Sequence, residues 1–251
     1  PVFLEKPPGS TRAEAQSLVD LAQANSTWGM VAFMKRFAPA NLVAKAVMAG
    51  EGFGTLASLT LIHGSGPYDD LRRMLLFNGI HMIDLGRFLG GEVAEVFAHA
   101  SPAGAATQAV SATLRFANGA VGQVNMNSGH HWTDCFEQTY LAGTGTAILI
   151  DASRAIEVMS ADGQFARVEG QELFGWSKRY YVSGNMAGWA AGGHYTRGYW
   201  GELQHFARAV LGQAPPLATL DDGIAALRII DAILDSAETG RPVALAQAAA
   251  G

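Results

Sequence analysis

The feature that most constrains the fold is a period-two alternation in the middle of the chain. Between residues 110 and 116, apolar side chains alternate with Ser, Thr and Arg, which places all the apolar ones on one face of a β-strand. Asn118-Gly119 follows, and a second strand pattern begins at Val121. An Asn-Gly pair between two such segments is a strong hairpin signal. The sequence therefore predicts an antiparallel sheet with one buried face.

Other short strands are expected around this hairpin. Residues 55–62 have the composition of a strand, and four more apolar segments separated by turn residues follow the hairpin. These segments are residues 136–142, 147–150, 155–159 and 164–168. Asp162-Gly163 predicts a tight turn between the last two of them. One helix, at about residues 78–90, interrupts the series of strands.

The start of the chain has a different pattern. Residues 1–4 are typical of a buried strand, and Thr11 with Glu14 forms a capping-box signature before an amphipathic helix over residues 12–24. Residues 28–33 then form a second apolar run. The order strand, helix, strand predicts a β-α-β unit with parallel strands.

Three further helices are predicted, at residues 40–49, 199–211 and 221–239, where apolar residues recur at helical spacing. Residues 171–198 are rich in Gly, Trp and Tyr and show no period, so they are interpreted as a long loop. The predicted fold class is α/β (α+β). It has an open, mostly antiparallel sheet with flanking helices, preceded by the β-α-β piece.

Composition excludes several classes of protein. The chain has a formal net charge of −5 and no basic block, so neither nucleic acid nor a membrane surface is an expected partner. Its one cysteine, Cys135, excludes an internal disulfide framework, and we expect a cytoplasmic location. The chain opens directly into an apolar segment from Pro1, which suggests the C-terminal part of a longer protein.

Two segments carry candidate catalytic groups. Lys6, in Glu5-Lys6-Pro7, follows a predicted parallel strand, at the edge of the sheet where ligands bind. His81 and Asp84 are three residues apart on one helix face, with Asn78 as the expected N-cap and His81 at the exposed mouth of the helix. The structural alternatives are an ordinary turn lysine, and a helix-start histidine with Asp84 paired to Arg87.

Metal and phosphate motifs are weak. His130, His131, Asp134 and Cys135 are close in sequence, but neighbouring side chains in extended backbone point to opposite faces, so no metal site is predicted. Glu202 and His205 form a single helical pair, interpreted as a solvated face. The Gly-Thr-Gly-Thr run at residues 143–146 lies between two predicted strands, and the sequence contains no dinucleotide-binding fingerprint.

Five segments, in order and spacing, resemble the Gfo/Idh/MocA family of sugar and inositol oxidoreductases. Glu5-Lys6-Pro7 is similar to the end of a family strand, and residues 31–39 are similar to the next strand and its Arg-Phe-x-Pro turn. The other three segments are residues 52–56, the Gly-x-His-x-x-Asp helix at residues 79–84, and residues 222–240.

The resemblance implies a two-domain enzyme that uses NAD or NADP. Residues 1–36 would be the C-terminal remnant of a dinucleotide-binding Rossmann domain, and residues 37–251 an α/β domain for substrate binding and oligomerisation, as a homo-dimer or homo-tetramer. Most of the first domain, with its glycine fingerprint, is absent from these residues, so the chain alone is expected to be inactive.

The resemblance also assigns roles to individual residues. Lys6 matches the catalytic lysine beside the nicotinamide, and the Lys6–Pro7 bond is a candidate cis peptide. His81 matches the histidine that exchanges a proton with the substrate hydroxyl, and Asp84 completes the expected catalytic set. Two further sets of site residues are predicted. The cofactor-binding candidates are Glu5, Lys6, Pro7 and Arg36. The substrate-binding candidates are Lys6, His81, Trp176, Tyr181 and His194.

One position departs from the family pattern. Many members carry an aspartate four residues before the histidine, where this chain has Phe77. Three alternatives follow: His81 acts without that carboxylate, another aspartate (Asp84, Asp69 or Asp70) replaces it, or the substrate and chemistry differ. The departure also favours a rival interpretation, in which the chain is a non-catalytic sugar-binding or assembly module that keeps the family fold.

Overall fold

The computed structural model describes residues 1–102, 104–130, 136–168, 171–182 and 189–245. The chain begins with a β-α-β unit formed by β1 (Val2–Leu4), α1 (Arg12–Ala24) and β2 (Gly29–Val31), in which the two strands pair in parallel. The Thr11 side chain accepts a hydrogen bond from the Glu14 amide at the start of α1. The predicted unit and the Thr11 cap are therefore confirmed, whereas the Glu14 carboxylate accepts from the Ser10 amide instead of closing a capping box with Thr11.

In the described part of the chain a nine-stranded sheet follows, with the strand order β10-β9-β8-β7-β3-β6-β5-β4-β11. Its strands are β3 (Leu56–Gly64), β4 (Val93–Ala100), β5 (Ala109–Phe116), β6 (Val121–Asn127), β7 (Phe136–Gly143), β8 (Thr146–Asp151), β9 (Ala155–Val168), β10 (Gln171–Tyr181) and β11 (Val243–Ala244). All neighbours pair antiparallel except β3 and β6, which are parallel. The prediction of a mostly antiparallel sheet is confirmed, including the β5–β6 hairpin.

The helices connect and cover these strands. A short 3₁₀ turn (Met34–Phe37) leads into α2 (Pro39–Met48), and a long helical segment lies between β3 and β4. That segment consists of α3 (Leu71–Met74), a π-helical turn (Leu75–Gly79) and α4 (Ile80–Gly90). The remaining helices are α5 (Trp189–Thr196), α6 (Tyr199–Val210) and α7 (Leu220–Thr239). Within the described residues, no helix is both long and apolar enough to cross a membrane.

The core lies between one face of the sheet and helices α4 and α7. Leu59 and Leu61 of β3 are buried there, as are Leu85 of α4 and Ile230 of α7. Fully burying an aliphatic side chain of this size contributes roughly 1.5–3 kcal/mol. The alternating burial along β5 and β6 matches the period-two pattern of the sequence, because only one face of each strand meets the helices.

Two sequence predictions about the second half of the chain are wrong. Residues 171–182 are not a loop, since β10 pairs along β9, and residues 189–196 form α5. Residues 155–168 form one long strand rather than two strands joined by a turn. In both cases pairing between backbone groups holds the strands. The sequence period could not indicate β10, because residues 177–181 of that strand are all exposed and show no buried apolar face.

Gly198 fixes the packing of α6 against the 3₁₀ turn at Met34–Phe37. Its φ is +98°, and a Cβ atom there would overlap the carbonyl oxygen of Met34 and lie 2.6 Å from the Ala38 amide nitrogen. A side chain at this position therefore meets both an unfavourable backbone conformation and backbone atoms that cannot move aside cheaply. The close approach places the turn, and with it Lys35 and Arg36, beside α4.

We predict that Gly198→Ala lowers the free energy of unfolding by about 2–4 kcal/mol, from strain plus overlap. Gly212→Ala is the matched control, because Gly212 also has a positive φ (+69°) but has no other described atom within 4 Å of the added Cβ. It should cost only about 1 kcal/mol. Urea denaturation measures both, and equal losses would show that the contact with the turn is not what requires glycine.

Candidate active site

Lys6 connects the end of β1 to the helical segment after β3. The Lys6–Pro7 peptide bond is cis, as the resemblance suggested, and the Lys6 ammonium donates a hydrogen bond to the backbone carbonyl oxygen of Phe77. Burial is the main cause that lowers the pKa of Lys6, and the nearby Lys35 ammonium lowers it further, whereas Glu5 opposes the shift. The lysine is therefore a partly desolvated hydrogen-bond donor held against the π-helical turn.

His81 lies inside a helix, not at its start. The helical segment begins with Asp70, whose side chain caps α3, and continues through the π-helical turn into α4. The prediction that Asn78 caps a helix with His81 at its exposed mouth is wrong, and only 8% of His81 is exposed. Short π-helical turns inside α-helices are frequent at functional sites, and no residue pattern here marks one.

The buried environment holds the His81 imidazole in its neutral form. Its pKa lies well below 6.5, first because burial penalises the charged ring, then because Lys6 and Lys35 add positive potential, as His63 also does when it is protonated. The Nδ1 atom is buried without a hydrogen-bond partner among the described residues. A neutral imidazole next to an ammonium group is able to accept a proton at neutral pH.

A second cluster of polar side chains, Lys35, Glu137 and His63, influences the pKa values of Lys6 and His81. The sequence analysis missed the His63–Glu137 part of this cluster. Lys35, on the 3₁₀ turn, forms a buried ion pair with Glu137 at the start of β7. His63, at the end of β3, lies with Nδ1 3.9 Å from the Glu137 carboxylate, and its Nε2 is 2.9 Å from the Asn78 Oδ1. The pairing of His63 with Glu137 in the β3–β7 register brings these two residues together, and sequence spacing alone gives no sign of it.

The pKa values of Glu137 and His63 in this second cluster are both lowered. Burial alone would raise the pKa of Glu137, but the Lys35 ammonium and its hydrogen bond outweigh that effect and lower it. Burial and then the Lys35 charge lower the pKa of His63. At neutral pH the group therefore consists of a lysine–glutamate ion pair beside a neutral histidine.

Asp84 and Arg36 belong to a separate buried ion cluster. Both carboxylate oxygens of Asp84 accept hydrogen bonds from Arg36, at 2.8 and 2.6 Å, and Arg36 also bonds to Asp222 near the start of α7. Burial raises the pKa of Asp84 to about 6 although Arg36 opposes it. Arg87 also bonds to Asp222. The alternative that paired Asp84 with Arg87 is thus replaced by a pairing with Arg36.

This ion cluster changes the interpretation of two candidates. The Arg36 guanidinium is buried and bonded to two carboxylates, and these contacts favour a structural role for Arg36 and for Asp84. The other aspartates considered as replacements are also engaged elsewhere. Asp69 is an exposed partner of Arg73, and Asp70 caps α3.

Tyr181 and His194, two of the candidates for substrate binding, lie on different elements, β10 and α5. Tyr181 is 72% exposed at the end of β10, three strands from β7 in the sheet, about 14 Å at the usual strand spacing. His194 is exposed and packs edge-on against Tyr199. The side chain of Trp176 lies outside the described part of the structure.

The structure places two residues of the weak metal motifs, His130 and Glu202. His130 stacks on Phe136, whereas residues 131–135 lie outside the described residues. In the part of the chain that the structure describes, no group of three His, Cys, Asp or Glu side chains is arranged to hold a metal ion. Glu202 is buried, so the interpretation of Glu202 and His205 as a solvated face is wrong for Glu202.

Comparison with known proteins defines the family. Residues 74–245 match the Gfo/Idh/MocA model described as an oxidoreductase family, C-terminal alpha/beta domain. The chain belongs to this family. A comparison with curated protein sequences gave no significant match. The family assignment confirms the resemblance inferred from the sequence motifs. It also agrees with the predicted mixed α/β fold.

Solved structures of several dehydrogenases share the fold over almost the whole chain. A dehydrogenase from Chromobacterium violaceum has a TM-score of 0.82 at 21% identity, covering 95% of this chain and 69% of its own. A levoglucosan dehydrogenase in complex with NADH and L-sorbose has a TM-score of 0.79 at 23% identity, covering 98% of this chain and 73% of its own. A putative myo-inositol dehydrogenase from Sinorhizobium meliloti 1021 has a TM-score of 0.73 at 21% identity, covering 97% of this chain and 73% of its own.

We predict that Asp84→Asn lowers the free energy of unfolding by about 3 kcal/mol, because it leaves Arg36 buried beside an uncharged partner. Asp69→Asn is the control, since its ion pair is exposed and should contribute less than about 1 kcal/mol. Denaturant unfolding measures both variants. A stable Asp84→Asn protein would contradict a structural role for Asp84.

Proposed function

We propose that the chain is the substrate-binding portion of an NAD(P)-dependent oxidoreductase. The reaction is transfer of a hydride between the nicotinamide and a secondary hydroxyl of a sugar, polyol or inositol-like compound. The observation that carries the proposal is the hydrogen bond from Lys6 to the Phe77 carbonyl, because it holds an ammonium group on the same helical segment as the neutral His81.

The roles of the two residues follow from their charge states. In the oxidation direction, Lys6 donates a hydrogen bond to the substrate oxygen and stabilises the negative charge that develops there. His81 accepts the hydroxyl proton as the adjacent carbon–hydrogen bond breaks, so the substrate leaves as a carbonyl compound. A bound nicotinamide cofactor supplies the hydride acceptor. In the reverse direction His81 returns the proton to the carbonyl oxygen.

The residues of this chain suit the nicotinamide end of the cofactor but not its pyrophosphate. Within the described residues Lys6 donates one hydrogen bond, to the Phe77 carbonyl, and has two further N–H groups, which supports placing a nicotinamide against Glu5-Lys6-Pro7. The sequence has no glycine fingerprint for the pyrophosphate. We therefore propose that hydride transfer requires a dinucleotide-binding region in addition to these residues, and that the chain alone is inactive.

The family and its neighbours support the substrate class. Levoglucosan dehydrogenase is solved with NADH and levoglucosan, and another neighbour, GenD2 from gentamicin A biosynthesis, is solved with NAD. The expected homo-dimer or homo-tetramer remains part of the proposal. The sheet face away from α4 and α7 supports it, because Val121 and Tyr140 are exposed there.

The rival function is a sugar-binding or assembly module without catalysis. Phe77 is the observation that favours it, since the family's acidic side chain is absent at that position. The paired burial of Lys6 and His81 favours the enzyme, because a binding module gains nothing from a neutral imidazole held beside an ammonium group. The two functions differ in the expected effect of substitutions at these residues.

We predict that His81→Asn in the full-length protein lowers kcat by about 10²–10⁴-fold, the usual contribution of a general base, and changes the substrate Kd by less than about threefold. Lys6→Met should lower kcat by a similar factor. Lys178→Met is the control, because Lys178 is exposed on β10. Steady-state kinetics with calorimetric binding measures these effects. Full activity in both site variants would support the non-catalytic module.

A further inference from the structure

Asn78, inside the π-helical turn, is linked to side chains on two strands of the sheet. Its Oδ1 lies 2.9 Å from Nε2 of His63 on β3. The other ring nitrogen of His63, Nδ1, lies 3.9 Å from the Glu137 carboxylate at the start of β7, and Glu137 pairs with Lys35. The proposed reaction uses Lys6 and assigns no task to this series of contacts.

The hydrogen bond between His63 and Asn78 has a fixed direction. The amide oxygen of Asn78 can only accept, so His63 carries its proton on Nε2 and donates it. Burial, followed by the charge of Lys35, lowers the pKa of His63, so the ring is neutral at neutral pH and Nδ1 has no proton. Nδ1 is buried and has no hydrogen-bond partner in the described residues. The bond to Asn78 therefore sets the orientation of the ring.

The buried ion pair keeps His63 in this donor form. A carboxylate near an imidazole favours the protonated ring, and Glu137 acts on the pKa of His63 in that direction. The Lys35 ammonium pairs with Glu137, and its positive charge opposes protonation of His63, as that of His130 does when it is protonated. His63 is therefore available as a neutral donor to Asn78.

The bonds of Lys6 and His63 meet at one peptide unit of the π-helical turn. The turn is closed by a backbone hydrogen bond between residues five apart, a rare arrangement found mostly as single turns. Lys6 donates to the carbonyl oxygen of Phe77, and the next residue is Asn78, whose side chain accepts from His63. Any movement of Asn78 therefore moves the oxygen that holds the Lys6 ammonium.

We propose that His63 is a positioning residue of the candidate active site, whose hydrogen bond to Asn78 holds the Phe77 carbonyl where it receives the Lys6 ammonium. His63 acts on the reaction through Lys6 and not by contact with the substrate. The inference rests on the function proposed above and adds a residue to it. Its effect on rate follows from the small tolerance of reacting groups, since a misplacement of about 1 Å can reduce a rate roughly 10²-fold.

The first test measures amide hydrogen exchange in the full-length protein and does not depend on activity. His63→Leu removes the donor, whereas His63→Gln, the matched control, retains an N–H donor at about the position of Nε2. Exchange in Leu75–Gly79 should be about tenfold faster in His63→Leu, relative to exchange in α7, because one hydrogen bond that holds the turn is lost. His63→Gln should remain close to the unsubstituted protein.

Asn78→Ala removes the same hydrogen bond from its other end. Asn78 is only half-buried, so this variant is expected to fold even if His63→Leu does not. It should accelerate exchange in the turn by a similar factor. Unchanged exchange in the turn of Asn78→Ala would overturn the inference.

The second test is a double-mutant cycle on turnover. His63→Leu and Asn78→Ala should each lower kcat at least about tenfold and change the substrate Kd by less than about threefold, because they displace Lys6 without removing it. The double variant should be no slower than the slower single variant, since both remove one bond, and His63→Gln should retain most of kcat. Losses that multiply in the double variant, or a kcat that stays unchanged while stability falls, would overturn the inference.

A Lys6→Met background shows whether His63 acts through Lys6. There, His63→Leu should lower kcat by less than about twofold more, because the group that it positions is already absent. A full tenfold loss in that background would overturn the inference and leave the dehydrogenase function intact. Absence of hydride transfer in the unsubstituted protein would overturn the proposed function, and the exchange comparison alone would then decide whether His63 holds the turn.

Discussion

The bonding of Arg36 to two carboxylates is the interaction on which the arrangement of the site depends. Its guanidinium joins the 3₁₀ turn to Asp84 on α4 and to Asp222 on α7. Burial would raise the pKa of Asp222, but Arg36 outweighs it and lowers that pKa to about 2. A buried arginine needs such partners, because an unpaired charge in the interior costs several kcal/mol. The cluster therefore fixes Lys35, one residue before Arg36, in relation to His81, three residues before Asp84.

The sheet and most helices could be predicted because they depend on local patterns. The β5–β6 hairpin follows from the alternation around Asn118-Gly119, and α7 follows from apolar residues at helical spacing that end at Gly240. The π-helical turn at Leu75–Gly79 and the edge strand β10 depend on tertiary contacts. Local sequence carries no signal for either, which explains the wrong helix start and the wrong loop.

The site itself was predictable only in part. Lys6 and His81 could be found because their motifs resemble those of a known family, and the structure places Lys6 against the helical segment that carries His81. Glu137 and His63 lie 74 residues apart in sequence, and only the register of β3 with β7 makes them neighbours. Asp84 was selected because it shares a helix face with His81, but the closer partner was Arg36, from a different element.

The central claim is that burial and the positive charge of Lys6 keep the His81 imidazole neutral. The most direct measurement is the NMR titration of the His81 imidazole in the full-length protein, assigned by comparison with His81→Asn. The claim predicts that its pKa lies well below 6.5, because burial disfavours the charged ring and Lys6 and Lys35 add positive potential. The pKa should rise in Lys6→Met. A His81 that titrates at or above 6.5, and that does not respond to Lys6→Met, would contradict the account.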